Sequence, residues 1–392
     1  MKMFKRVLAF LLMLILFSSL IPMALAESKT YIPTAYSTAP KASIWKTYKA
    51  NLHYFYNQLN EKEKQAFSSR YDSIALGKPE LWVWSGFDLS YAEYQRAWYA
   101  LVYDTPELML GDSQYAAIQP EVSFYTYSKE VAEVSASKLL AHSKKISNYW
   151  KKTKAVLDKI KKGKSYGKNS YTHQLALDRY MVKNCKYKLD SKYDRSKVNY
   201  NLRAAFSVFV TKKAVCEGYA RAAELALRYY GVPCIYVYGR GNGENHAWNM
   251  VKLGKYWYHY DPTWQDGNDK ETRIYTDYMP YFNVTEKLLK RSHTIDKEAK
   301  TTYSFTLPSA TKTEQEYYAK NKKLLGKNWK SKLLSLLKSA KKNKKKRLGV
   351  RFSDVKYFNA AVSTLKKNKV QPGFGYTYWY MKDSLVLYFS WK

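Results

Sequence analysis

The sequence predicts an α+β fold: a helix that starts at a cysteine and packs on an antiparallel sheet, preceded by a helical region and followed by a small basic α/β region. Three observations carry this. Apolar and aromatic residues recur at three- and four-residue spacing from 43 to 112 and again from 129 to 184. Beyond Pro233 the pattern turns to short runs rich in Tyr, Trp, Val and Ile, as strands require. From about Pro308 lysine-rich helical stretches alternate with short apolar runs. A chain of 392 residues exceeds the roughly 250 that one core usually organises, so several regions are expected. They are a signal peptide (1–26), a linker (27–42), a helical N-terminal region (43–128), a central domain (129–305) and a Lys-rich C-terminal domain (306–392).

The elements follow in order. Lys2, Lys5 and Arg6, the apolar run Val7 to Leu20 and the small residues Ala24-Leu25-Ala26 read as a secretory signal, which places the mature chain outside the cytoplasm, secreted and associated with the cell envelope. After signal removal no stretch is apolar enough to span a bilayer of about 20 helical residues. Thr30 to Pro40 is a Pro/Thr/Ser/Ala linker. Ala50 to Phe67 and Tyr91 to Tyr103 are expected to be helices, the second stopped by Asp104-Thr105-Pro106. Lys129 to Lys162 reads as a basic helix broken near Ser147, with Leu139, Leu140, Ile146, Trp150, Val156, Leu157 and Ile160 as its apolar stripe. A further helix is expected from Thr172 to about Asn184.

Helical spacing resumes at Cys216, with Ala220, Ala223, Leu227 and Tyr230, and Gly231 supplies a C-terminal cap. Strands are expected at Ile235–Tyr238, Ala247–Leu253 and Tyr256–Tyr260. The glycine run Gly239 to Gly243 reads as a flexible loop bordering a cleft; it opens no helix, so it is no phosphate loop. In the C-terminal region the pattern predicts helices at Tyr317–Lys338 and Val355–Lys367, strands at Leu348–Phe352 and Leu385–Phe389, and a Gly-Tyr-rich turn at 373–378.

Charge is distributed unevenly. Residues 311–392 hold 21 basic and 4 acidic groups, and Lys341 to Arg347 is nearly continuous positive charge. Such a surface attracts polyanions over a range that salt shortens, and for an exported chain these are anionic envelope polymers or a lipid surface. A specific nucleic-acid partner is not expected, because no recognition motif accompanies the charge. The three cysteines, Cys185, Cys216 and Cys234, form no disulfide framework; Cys185 and Cys234 read as two separate buried cysteines, although they could pair. No metal site and no cofactor are expected, since the six histidines are scattered and no Cys-x-x-Cys pair occurs.

The chemistry centres on Cys216. A thiolate is the useful form of a thiol, and a helix N-terminus or a neighbouring imidazole favours it. Two histidines lie in the strands that follow, His246 and His259. If residues 246–261 form a hairpin with Lys252 opposite Lys255, His246 faces Asp261, and opposed residues have Cβ atoms about 4.5–5.5 Å apart. A carboxylate there holds the imidazole while its other nitrogen faces the thiol. His259 is the rival base, lying on the same strand face as Asp261 but without a carboxylate opposite it.

Ala214-Val215-Cys216-Glu217-Gly218-Tyr219-Ala220, Tyr230-Gly231-Val232-Pro233-Cys234, Asn245-His246-Ala247-Trp248-Asn249 and Trp257 to Trp264 together resemble the core of the transglutaminase-like superfamily. Asp104-Thr105-Pro106-Glu107-Leu108 is similar, more weakly, to a helical region that precedes this core in some exported members. The resemblance spans about 170–285 and implies a papain-like architecture with Cys216 as nucleophile, His246 as base and Asp261 as orienter. The Cys-Gly-Ser/Ala-Cys signature of papain-type peptidases is absent. The expected activity is thiol-dependent acyl transfer or amide hydrolysis on a protein or peptide amide, either cross-linking or peptidase action. The alternative is a non-catalytic envelope-binding protein that keeps the fold and attaches through its basic C-terminal region. Gly218 is expected to let the cysteine helix pack closely, and Tyr219, Trp248 and Trp264 to wall or floor the substrate cleft. The Cys216 amide is the natural first oxyanion donor, with Tyr200 or Asn201 as candidates for the second.

Overall fold

The computed structural model describes residues 53–76, 89–108, 129–188, 200–267, 278–295 and 305–392. The signal peptide and the linker lie outside the described residues. The N-terminal region contributes α1 (Glu61–Leu76) and α2 (Tyr91–Asp104). Each begins at a reciprocal cap: Asn60 Oδ1 accepts from Glu63 N at 2.9 Å while Glu63 Oε2 accepts from Asn60 N at 2.7 Å, and Ser90 pairs with Glu93 in the same way. The helix expected over Ala50–Phe67 therefore starts later, at Glu61. Upstream of the cap the chain is held by another contact, since Asp104 takes hydrogen bonds from Tyr54 N at 3.0 Å and Tyr56 N at 2.7 Å.

α3 runs from Lys129 to Lys162 without the expected break at Ser147. No Gly or Pro interrupts it, and Ile146, Trp150, Leu157 and Ile160 bury one continuous stripe. The side chains of Leu139 and Leu140 lie outside the described residues. α4 (Ser170–Asn184) is capped by Asn169 and starts two residues before the expected Thr172, and Cys185 follows it, buried and in no disulfide. β1 (Lys186–Tyr187) pairs in parallel with β2 (Lys213–Ala214) and brings Tyr187 beside Ala214.

The centre of the fold is α5 (Cys216–Tyr229), which lies against a sheet of four antiparallel strands. These are β3 (Cys234–Gly241), β4 (Glu244–Leu253), β5 (Tyr256–Tyr260) and β6 (His293–Ile295), in the order β5-β4-β3-β6. Alanines and leucines on α5 leave little side-chain bulk between helix and sheet, and Asn249 on β4 donates to Ala220 O at 2.9 Å. Gly231 ends the helix segment at φ 78°, which only glycine adopts readily. Gly239 to Gly241 is not a loop but the end of β3. The turn is Asn242-Gly243, both at positive φ (50° and 84°), the left-handed pair that a tight hairpin needs.

The β4–β5 register also differs from the expectation. Leu253 pairs with Tyr256 and Asn249 with Tyr260, so the turn is Gly254-Lys255 and the pairing is shifted by two residues. Extending that register puts Asp261 opposite Trp248 and diagonal to His246. A shift of two keeps every side chain on its face, so the two residues still meet.

α6 (Pro262–Gln265) begins at Asp261, and α7 (Glu286–Leu289) precedes β6. In the C-terminal region the single helix expected over Tyr317–Lys338 is three elements: α8 (Tyr317–Lys320), β7 (Leu324–Leu325) and α9 (Trp329–Lys342). Glu316 caps the first, and Lys322 at φ 58° turns the chain out of the helix. β8 (Arg347–Phe352), α10 (Val355–Lys366), β9 (Thr377–Met381) and β10 (Val386–Ser390) follow, with sheet order β7-β8-β10-β9. Part of the expected Gly-Tyr turn is thus strand, because Tyr378 and Trp379 pair with Phe389 and Tyr388. Leu333, Leu337, Phe358, Leu365 and Val350 form the core between these helices and this sheet. Arg351 fastens the region to the central one, donating to Met279 O at 3.1 Å and Pro280 O at 2.6 Å.

Among the described residues no helix is long and apolar enough to cross a membrane.

Candidate active site

Cys216 is the first residue of α5, after Val215 in extended conformation, and it is partly exposed. The first-turn amides of a helix have no intrahelical acceptor, so the sulfur sits in a field that favours negative charge. Two contacts fix this helix start. Val215 N donates to Leu202 O at 3.1 Å, and Gly218 lies so close to the same carbonyl that a Cβ would collide with it. The short turn Tyr200–Arg203 is thereby pressed against the cysteine end of the helix. Tyr200 and Asn201 open that turn, but their side chains lie outside the described residues.

His246 is on β4, opposite Gly239 of β3, and Gly241 makes room for it: a Cβ there would lie 3.1 Å from the imidazole and 2.9 Å from Trp264. The imidazole Nε2 is 2.8 Å from Asp261 Oδ2. Its remaining nitrogen, Nδ1, is not used by Asp261, and the ring interacts electrostatically with the Cys216 side chain. Burial pulls the His246 pKa down, but the Asp261 charge, the hydrogen bond to Asp261 and the Cys216 sulfur outweigh it and raise it to about 10. Burial pushes the Asp261 carboxyl up, yet His246 beside it and hydrogen bonds from His246 and His293 hold it well below the usual carboxylate range. Asp261 is fully buried, and its other oxygen, Oδ1, accepts from Thr263 N at 2.9 Å and Trp264 N at 3.2 Å.

His293 is the residue that the sequence reading missed. It pairs with Gly241 across β6 and β3, and its Nε2 is 3.2 Å from the same Asp261 Oδ2 that His246 meets. The histidines are therefore not all scattered: His246, Asp261 and His293 present ligand-type atoms within 4.8 Å of one another. Because both Nε2 atoms already meet one carboxylate oxygen, these groups satisfy each other by hydrogen bonds, and we assign the cluster to that role.

His259 stands apart. It is buried, its Nδ1 takes the Trp248 Nε1 hydrogen at 3.2 Å, and it bridges by its main chain to Val284. Trp248 is also fully buried, parallel to the His246 ring at 6.0 Å, so it forms a floor beneath the imidazole. Tyr219 is not a cleft wall: it is fully buried, with its hydroxyl donating to Asp266 Oδ2 at 2.8 Å. Its position on α5 turns it into the core, away from the Cys216 mouth. Trp264, half-buried, packs 5.3 Å from His246 and 4.4 Å from His293, ring centre to ring centre. Tyr187, unremarked in the sequence, is partly buried, and burial above all pushes its hydroxyl up to about 12.

A second buried network supports the site from behind. Arg228 of α5 donates to Asp104 Oδ1 at 2.9 Å and to Cys234 O at 2.8 Å, and pairs with Glu224 at 2.5 Å. The Asp-Thr-Pro-Glu-Leu segment is thus where the N-terminal helices are tied to the cysteine helix. Cys234 is buried and unpaired.

Residues 144–262 match the family model of the transglutaminase-like superfamily. The matched segment contains Cys216, His246 and Asp261. Among solved structures it is similar to a proposed cysteine protease from Cytophaga hutchinsonii, with 21% identity, a TM-score of 0.23, and coverage of 28% of this chain and 37% of that one. It is also similar to a protein described as a TGase, with 19% identity, a TM-score of 0.27, and coverage of 42% of each chain. The chain spans less than half the length of either. A comparison with curated proteins returns no match.

Proposed function

We propose that the protein is an exported thiol-dependent acyl transferase or amide hydrolase acting at the cell envelope, with Cys216 as nucleophile, His246 as acid and base, and Asp261 as orienter. The observation that carries this is one geometry: a partly exposed cysteine at a helix start, beside an imidazole whose far nitrogen is held at 2.8 Å by a buried carboxylate. In the proposed reaction the Cys216 thiolate attacks the carbonyl carbon of a protein or peptide amide. The C–N bond breaks, and the amine leaves with a proton from His246, giving a thioester. A second amine or a water then attacks the thioester, His246 takes its proton, and the C–S bond breaks to restore the thiolate. An amine makes a cross-link; water makes a hydrolysis product. The Cys216 amide, at the start of the helix, is the proposed first oxyanion donor.

The test is mass spectrometry of envelope peptides and proteins after incubation with wild type and Cys216→Ala. New isopeptide links, or new termini, that depend on Cys216 support the reading and choose its direction. Neither product, together with ordinary thiol reactivity at Cys216, removes it.

The lysine turn supports a second, compatible reading: attachment to anionic envelope polymers or lipid. Lys341 and Lys342 end α9, Lys344, Lys345 and Lys346 lie on its connection to β8, and all five are exposed. Changing Lys342, Lys344, Lys345 and Lys346 to Gln leaves the packed core of this region in place and should weaken salt-sensitive adsorption to anionic envelopes. Unchanged adsorption with unchanged salt dependence would sink that role.

A further inference from the structure

We infer that His293 is a positioning residue for the proposed reaction: it pins the Asp261 carboxylate and, with its tautomer set by Ser292, keeps the proton shared by Asp261 and His246 on the imidazole. The inference rests on reading Cys216, His246 and Asp261 as the reacting set.

The hydrogen bonds have a direction. Asp261, ionised, can only accept, so His293 must present Nε2–H to Oδ2 at 3.2 Å. In the neutral ring Nδ1 is then an acceptor, and Ser292 Oγ, 2.9 Å away, is the group that can donate to it. With its hydrogen used there, Ser292 Oγ accepts from Tyr281 OH at 2.8 Å. The relay Tyr281 to Ser292 to His293 to Asp261 leaves no member with two hydrogens facing each other. The ring itself is held by Trp264, Trp248 and Tyr281, with centres at 4.4, 5.1 and 5.1 Å.

The relay matters because of what surrounds Asp261. In a buried carboxylate–imidazole pair the proton can rest on either partner, and donors to the carboxylate decide the balance. Asp261 has three donors besides His246: the amides of Thr263 and Trp264 on Oδ1, and His293 on Oδ2. Of these only His293 is a side chain, and it alone meets the oxygen that His246 uses. His246 on β4 and His293 on β6 meet the Asp261 carboxylate directly, and Tyr260 on β5, Tyr187 on β1 and Tyr281 are the further titratable groups that feel its charge. With His293 gone, the fully buried Oδ2 loses a donor, the proton is drawn toward Asp261, and Cys216 loses the imidazolium it interacts with.

The experiment follows alkylation of full-length mature protein by iodoacetamide across pH, reading the Cys216 peptide by mass spectrometry. Cys185 and Cys234 are buried and serve as internal controls. The variants are His293→Leu, which removes the donor, and His293→Gln, which keeps an N–H. The acid limb of Cys216 alkylation should move up by about one pH unit in His293→Leu, the scale of one lost hydrogen bond to a charge, and return close to wild type in His293→Gln. A merely structural histidine would lower the melting temperature in both and leave the limb in place, and that result overturns the inference. Should His293→Leu not fold, Ser292→Ala keeps the ring and removes only the hydroxyl that sets its tautomer. It must move the limb in the same direction by less, and an unmoved limb there is equally decisive. His246→Ala separates the two levels: if it alkylates like wild type, the reacting set itself is wrong. If it is slow while His293→Leu tracks wild type, only the role of His293 falls.

Discussion

Gly218→Ala is the sharpest single test of how the fold presents Cys216. Gly218 is two residues into the helix from Cys216, and an added Cβ would meet the Leu202 carbonyl closer than real Cβ atoms come, with Ser207 Oγ at 2.9 Å and Ala214 Cβ at 3.0 Å. None of these neighbours yields freely. Leu202 O is main chain and already accepts from Val215 N, while Ser207 Oγ is engaged with Ala204 O at 2.7 Å. Relief must come from moving the Tyr200–Arg203 turn or the first turn of α5. Overpacking of this kind costs about 1–3 kcal/mol, and the strained Val215–Leu202 hydrogen bond adds about 1 kcal/mol. The better helix propensity of Ala returns up to about 1 kcal/mol. The net expectation is a loss of about 2 kcal/mol, with Cys216 displaced relative to His246. Urea denaturation reads the first quantity and the rate of iodoacetamide alkylation of Cys216 reads the second. A variant as stable as wild type would refute the packing argument. One that loses stability but alkylates at the wild-type rate would refute the claim that this turn positions Cys216.

Three other predictions use different parts of the structure. Gly241→Ala should lower Cys216 reactivity with little change in stability, because its Cβ would press on His246 and Trp264 rather than on main chain; equal reactivity in a pH series would contradict the assigned role of Gly241. Arg228→Met leaves Asp104 and Glu224 buried without their cation, and should cost about 3–5 kcal/mol in a denaturant titration. Asp104→Asn in the Arg228→Met background should recover part of that loss, and a double variant no better than the single would count against the ion cluster. Stability should fall between pH 5 and pH 8. Burial raises Glu107 and Asp178 to about 7, so the folded state holds protons that the unfolded state releases, and their effect turns unfavourable as pH rises toward 7. His246, raised to about 10, contributes stability that is full below its unfolded value and is lost as pH climbs through 10, in the same direction. Asp261, held low, loses its contribution only in strong acid. The Glu107 effect is on the order of 3 kcal/mol, so Glu107→Gln should flatten the melting-temperature profile, and a profile as steep as wild type would refute it.

What could be read from the sequence and what could not divide along a physical line. Cys216, His246 and Asp261 were legible because each sits on an element with its own local signal: a helix start closed by Gly231, and two aromatic strands joined by a Gly turn. The hairpin arithmetic misplaced the turn, taking Lys252 as the partner of Lys255 where Leu253 pairs with Tyr256. It still brought the right residues together, since the error was even and side chains alternate with a period of two. An odd error would have put Asp261 on the opposite face of the sheet, so the agreement owed something to parity. His293 had no such signal. Its strand is three residues long, it follows a short helix, and it joins the sheet at the outer edge of β3, where only long-range pairing brings it to Asp261. The same holds for Asp104 and Arg228, which are 124 positions apart; the Asp-Thr-Pro-Glu-Leu segment was noticed as a helix stop, yet its carboxylate serves as an anchor for α5. Helix ends failed for a related reason: Asn60 overrode the apolar spacing upstream of it, and Lys322 ended a run that spacing alone would have continued. Local spacing identifies the proposed reacting groups, whereas the groups that surround them are recruited across the fold, and it is there, at His293 and Arg228, that the sequence alone falls silent.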